Sequence, residues 1–284
     1  LNRKEAILEL AQVYSNYAIY PKKRFIDNTA LRVFQRTHSE NHYAHEIEFL
    51  LQNQKDESDR LGADLPWWGK KYFTLDKGTR VFIISQDSLS EDAGSIAFYM
   101  NLMNESVMDT NSYNNYIHNN RLERFASWGM AKNYLIECGI DLDFAFVTDA
   151  RKVYPRDTMK FKQFISEQKR KTLRDDSYVY GFQKDLLNLN VKESKELLVS
   201  EINFCKPDLI ITLGEVGFHY LHREIPLTPV LKQSNTTVPI LAEDVIVKRD
   251  FIAAPFPGKK NETFIPPYTT NSINTIRRNL RCIN

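Results

Sequence analysis

Gln86 and Asp87 stand just past a four-residue apolar run, Val81-Phe82-Ile83-Ile84, and lead into Ser88. Such a run reads as a short buried strand, and the polar, turn-prone residues after it as the way out of that strand. The stretch Gly94-Ser95-Ile96-Ala97-Phe98 then opens a helix. In an open α/β sheet, ligands bind in the crevice beyond the carboxyl ends of the strands. Asp87 is there a carboxylate placed to meet a ligand, with the amide of Gln86 beside it. The competing reading is a helix cap, because Asp accepts well from the first N–H groups of a helix. Partners at other strand ends decide between the two.

Three further apolar runs end in polar or turn residues. Phe144-Ala145-Phe146-Val147-Thr148 ends at Asp149, and Leu209-Ile210-Ile211-Thr212-Leu213 ends at Gly214. Phe251-Ile252-Ala253-Ala254 ends at Pro255-Phe256-Pro257-Gly258. Helical patterns separate them: Arg121–Cys138, closed by Gly139, then 183–203, Glu215–His222 and Asn271–Leu280. Val238–Leu241 and Val245–Val247 read as shorter strands. Strands alternating with helices over 78–284 predict an α/β domain with a largely parallel sheet. The domain is taken as 76–284.

Residues 1–75 read as an N-terminal helical extension. Its helices are 3–17, stopped by Pro21, and a second running from about Asn28 to Gln54. The second carries His38, His42 and His45. The last two could share a face, but no H-E-x-x-H accompanies them, so a solvated helix face is preferred and no metal is expected. Pro66-Trp67-Trp68-Gly69-Lys70-Lys71-Tyr72-Phe73 is aromatic and reads as core beneath the first strand. Residues 101–120, rich in Asn, read as a long polar loop.

At 284 residues the chain can bury a sizeable core, and 26% charged and 42% hydrophobic residues are ordinary for a globular protein. A net charge of +2 leaves nucleic-acid binding to local patches. One such patch is basic: Arg151, Lys152, Arg156, Lys160, Lys162, Lys169, Arg170, Lys171 and Arg174. Like-charge runs are also often plain solvated faces. Cys138, Cys205 and Cys282 are odd in number and lack C-x-x-C spacing, which suits a reducing cytosol and no cysteine-bound metal. No apolar run reaches membrane-spanning length, and Leu1-Asn2-Arg3-Lys4-Glu5 does not read as a signal peptide.

The order of the strand-end motifs resembles the uracil-DNA glycosylase superfamily, over residues 67–281. Its best-known branch carries G-Q-D-P-Y-H and then L-A-F. Here Ser85-Gln86-Asp87-Ser88-Leu89-Ser90 precedes Ile96-Ala97-Phe98. Asp149-Ala150 stands where the family has Asn-Ala, Leu213-Gly214 matches its L-G strand, and Phe256-Pro257-Gly258 stands at its H-P-S. The resemblance implies a three-layer α/β sandwich, a monomer without metal or cofactor, and double-stranded DNA as partner. It implies a DNA N-glycosylase that flips a base out and cuts its N-glycosidic bond.

Cutting a C1′–N bond builds positive charge on the sugar and negative charge on the base. The resemblance makes Asp87 the carboxylate that stabilises the sugar and activates water, Gln86 a donor to a base carbonyl, and Phe98 the stacking partner. Asp149 departs from the family's Asn. An ionised carboxylate only accepts, so it suits the N4 amino group of cytosine and repels the O4 of uracil. Its alternative is a turn cap. The family's Tyr, which blocks C5 substituents, is replaced: Leu89 is nearest, and Ser88 is small. The expected substrate is therefore a C5-modified cytosine, such as hydroxymethylcytosine or its glucosylated form, in viral DNA. That is similar to superfamily members used in phage defence. Phe256 cannot donate as the family His does, a loss of roughly 100- to 1000-fold in rate unless Asn261 or a backbone N–H takes over. Lys259, Lys260 and Asn261 are expected at phosphates or the vacated base position, and Arg151 and Lys152 along the backbone. The alternatives are a uracil or mismatch repair glycosylase and an inactive DNA-binding module of the same fold.

Overall fold

The computed structural model describes residues 3–20, 62–64, 66–69, 71–87, 126–154, 191–247, 249–258 and 261–283. The expected helix over 28–54 with its three histidines, and the Asn-rich stretch 101–120, lie outside them.

The apolar runs form a six-stranded sheet in the order β3-β5-β4-β7-β9-β8. These strands are β3 (Trp67–Trp68), β4 (Val81–Asp87), β5 (Ala145–Arg151), β7 (Leu209–Leu213), β8 (Thr237–Pro239) and β9 (Asp250–Ala254). β5, β4, β7 and β9 run parallel to one another, and β3 and β8 are antiparallel edges. The parallel strands are nearly continuous apolar runs because helices cover them. Every residue of β7 is buried, as are the first five of β4.

Around the sheet lie α1 (Arg3–Val13), α2 (Ala126–Glu137), α3 (Val191–Cys205), α4 (Glu215–Leu221), α5 (Leu227–Leu231) and α6 (Tyr268–Ile283). α3 packs on β5, α4 on β4, β5 and β7, and α5 and α6 on β9. Gly139 ends α2 as expected. Its φ is +83°, its N–H donates to Ile136 O, and the N–H of Ile140 donates to Leu135 O. Among the described residues no helix is long and apolar enough to cross a membrane.

The segment read as a helical extension also supplies strands. β1 (Ala18–Tyr20), β2 (Gly62–Asp64) and β6 (Val153–Tyr154) form a small second sheet. β3 joins the main sheet by pairing Trp67 with Val147 and Trp68 with Phe146. These strands are two or three residues long, too short to show a period. Val245–Val247, by contrast, is no strand. The N–H of Val245 turns back to Ala242 O, and the N–H of Ile246 donates to the Asn203 side chain at 2.8 Å. The donors a strand needs are already engaged.

Aromatic packing ties the 67–73 segment to the sheet. Phe82 and Phe146 stack at 4.9 Å with an 11° interplanar angle. Tyr72 and Phe73 close on Phe146 at 5.5 and 6.1 Å, and Phe73 reaches Phe204 of α3 at 5.5 Å. Phe146 is thus the hub of the cluster. Phe146→Ala should cost about 3–5 kcal/mol through lost transfer energy and an unfilled cavity. Urea denaturation measures it, and a loss below about 1 kcal/mol would mean that the cluster collapses freely around the gap.

Candidate active site at the strand ends

Register decides which side chains can meet. Ser85 lies opposite Asp149, and Asp87 opposite Arg151, in the β4–β5 ladder. On the other side Ile84 lies opposite Thr212, so two residues further on Gln86 arrives level with Gly214. The N–H of Gly214 donates to Ala254 O at 2.9 Å and draws the end of β9 alongside. Four strand ends therefore open at one level.

Gly214 is the closest-packed point. Its φ of +84° and ψ of −171° form a backbone conformation essentially confined to glycine. A Cβ there would lie 2.8 Å from Phe256 Cβ and 2.9 Å from Gln86 Cδ, and closer still to the Gln86 amide nitrogen. The missing side chain is thus the space in which Gln86 and Phe256 approach each other. Both are half-buried.

Asp149 is 4% exposed and Ser85 2%. Asp87 is described through its backbone, as the last residue of β4. Arg151 is half-buried. Asn261 braces the loop after β9: its Nδ2 donates to Phe256 O at 3.1 Å, and its Oδ1 accepts from the N–H and hydroxyl of Thr263 at 3.1 and 2.8 Å. Its amide holds Phe256 in place. Phe98, Ser88, Leu89, Lys259 and Lys260 lie outside the described residues.

Lys152 is a correction. It was expected along a DNA backbone, yet it is 0% exposed and paired with Glu201, itself 0% exposed. Successive residues of a strand face opposite sides. Lys152 therefore turns inward to α3 while Arg151 turns the other way.

Glu215, one residue past Gly214, is a strand-end carboxyl that the motif pattern does not single out. It is half-buried, and burial raises its carboxyl above the ordinary 4.5. The signal available was its place directly after the Leu-Gly turn. Neither Cys138 nor Cys205 is a poised nucleophile: burial pushes the Cys138 thiol up to about 12 and that of Cys205 well above its ordinary value. Among the described residues no group of three or more His, Cys, Asp or Glu could hold a metal ion.

At the strand ends the Gln86 amide and the Phe256 ring meet over Gly214, while Asp149 lies buried beside Ser85 and alternates to the other face of the sheet. An amide beside an aromatic ring at a crevice of this kind can hold a planar polar ring by its edge. No protein-family model and no curated protein matches the chain.

Gly214→Ala should cost about 1–3 kcal/mol from backbone conformation alone, and should also displace Gln86. Wild-type stability in urea would show that the strand ends are looser than this contact requires. Glu215 gives a pH test. Its folded-state value is raised, so its contribution is fully present below 4.5 and is lost as pH rises through the folded value. Glu215→Gln should match wild type in acid and exceed it at neutral pH. Denaturation midpoints at both pH values measure this, and a constant difference between the proteins would count against burial of the carboxyl.

Proposed function

We propose that the chain is a DNA glycosylase with a three-layer fold of the uracil-DNA glycosylase type. It excises a C5-modified cytosine, such as hydroxymethylcytosine or its glucosylated form, from viral DNA and leaves an abasic site. The observation that carries this reading is the meeting of Gln86 and Phe256 over Gly214, with Asp149 buried one strand away. The resemblance in motif order assigns base contacts to those same residues.

Asp87 stabilises the positive sugar as the C1′–N bond breaks and takes a proton from the attacking water. Gln86 donates to the carbonyl of the flipped base. Asp149 accepts from the N4 amino group. An ionised carboxylate facing the O4 of uracil would set acceptor against acceptor, and sites built on hydrogen bonds reject such analogues strongly.

One residue favours a second reading. Phe256 cannot donate to the departing base, and the Asn261 side chain next to it already serves the loop. An inactive DNA-binding module of the same fold is therefore the rival. A uracil or mismatch repair glycosylase is the other.

The experiment is base release from duplexes carrying uracil, cytosine, hydroxymethylcytosine or glucosylated hydroxymethylcytosine. The modified cytosine should leave fastest. Asp87→Ala should slow release by about 100- to 10,000-fold, the usual share of a positioned acid–base group. Asp149→Asn should move preference toward uracil. Faster release of uracil by wild type would favour the repair enzyme. Tight DNA binding with no abasic product, unchanged in Asp87→Ala, would favour the inactive module.

A further inference from the structure

We infer that Tyr14, Glu201 and Lys152 form a buried positioning device through which the N-terminal helix holds the strand end that carries Asp149. Its use in base selection rests on the glycosylase reading.

The device is a closed polar cluster in an apolar setting. Tyr14 OH donates to Glu201 Oε1 at 2.5 Å, and Thr148 Oγ1 donates to Glu201 Oε2 at 3.0 Å. Lys152 Nζ donates to the same Oε2, to Thr148 Oγ1, and to Tyr14 OH at 3.5 Å. Tyr14, Lys152 and Glu201 are each 0% exposed. Both carboxylate oxygens and the ammonium are engaged, as a buried ion pair requires.

The placement gives the cluster its meaning. Thr148 and Lys152 are four residues apart, so they share one face of the strand end. One oxygen of Glu201 grips both. Asp149 and Arg151 lie between them and alternate to the opposite face. α3 extends the grip, since Ser194 Oγ accepts from the N–H of Val153 at 3.1 Å. Glu201 and Ser194 thus clamp the chain on both sides of Asp149 from behind. Among the described residues Tyr14 is the member from the N-terminal segment, and it holds Oε1, whereas Thr148 and Lys152 hold Oε2.

A buried ion pair is weak support for stability, because apolar residues of similar volume often serve as well. A side chain that fixes geometry is better attested. The geometry at stake here is the direction of Asp149.

The experiment uses the full chain and three variants: Tyr14→Phe, Glu201→Gln and Asp149→Asn, with Tyr14→Phe also combined with Asp149→Asn. Tyr14→Phe keeps the ring and the Lys152–Glu201 pair, so it folds even if Glu201→Gln does not. Amide hydrogen exchange over residues 149–153 should speed up by about tenfold in Tyr14→Phe, a coupling typical of neighbours in one polar network. Single-turnover release of the modified cytosine should fall by about the same factor, with DNA affinity unchanged and selectivity against uracil reduced. In the Asp149→Asn background, Tyr14→Phe should change selectivity no further. Unchanged exchange over 149–153 would overturn the inference. So would a selectivity loss that adds fully to that of Asp149→Asn, which would mean that Tyr14 acts elsewhere. Exchange needs no substrate. If wild type releases no base, the glycosylase reading fails, and exchange alone decides whether Tyr14 holds the strand end.

Discussion

The backbone pairing of Ile84 with Thr148 on one side and Thr212 on the other, continued from Thr212 to Ala253, sets where every polar side chain of the strand ends arrives. Past that row β7 and β9 have one residue left, and β4 and β5 three. The shared level brings Gln86 against Gly214 and Phe256, and Asp149 beside Ser85. A slip of one residue in β5 would turn Thr148 and Lys152 toward the opposite face and take a buried ammonium away from Glu201. The apolar residues below the row tolerate no slip either, because Phe82 and Phe146 stack only in this register. Packing at the bottom of the sheet and charge pairing at the top therefore enforce the same alignment.

This division explains what could be read in the sequence. The four parallel strands are apolar runs bounded by turn residues, so their existence was legible in Val81–Ile84, Phe144–Thr148, Leu209–Leu213 and Phe251–Ala254. But β4 and β5 run three polar-containing residues further, to Asp87 and Arg151, because the two strands go on pairing with each other. β1, β2, β3 and β6 were not legible, since two or three residues carry no period and Trp67-Trp68 looks like core in any element. Val245–Val247 looked like a strand because periodicity counts side chains. The Asn203 side chain that takes the N–H of Ile246 is more than forty positions away. The strand-end residues were legible as a set, but their facing was not. Arg151 and Lys152 look alike within a basic run, and only the phase set by Thr148 on Glu201 separates them. A hint did exist: Glu201 falls in the apolar stripe of Leu197, Leu198, Ile202 and Cys205, where a charge needs a partner.

Gly214 and Asn261 do complementary work. The glycine leaves room for Gln86 and Phe256 to converge, and the asparagine holds the Phe256 carbonyl so that the loop cannot drift out of that space. Phe256 is partly buried against the core, so the loop is anchored from below as well. An aromatic ring fixed in this way can shape a pocket without taking part in proton transfer. The carboxyl next in line, Glu215, is raised by burial and so holds its proton more readily than an exposed glutamate. The strand ends thus contain one more protonatable group than the motif comparison provides.

The charges behind Asp149 bear on how it could select a ligand. A lone buried ammonium on the far face of β5 would stabilise the ionised Asp149 and draw negative groups toward it, strongly so at interior dielectric. Glu201 cancels that charge at contact distance. What remains on the α3 side is close to a dipole, whose influence falls off much faster than that of a single charge. Lys152 and Glu201 can therefore set where Asp149 sits while adding little to its charge balance. That balance is left to groups on its own face and to whatever it meets in the crevice. On the glycosylase reading, a carboxylate fixed in direction in this way tells an amino group from a carbonyl on a ring edge, because an ionised carboxylate only accepts.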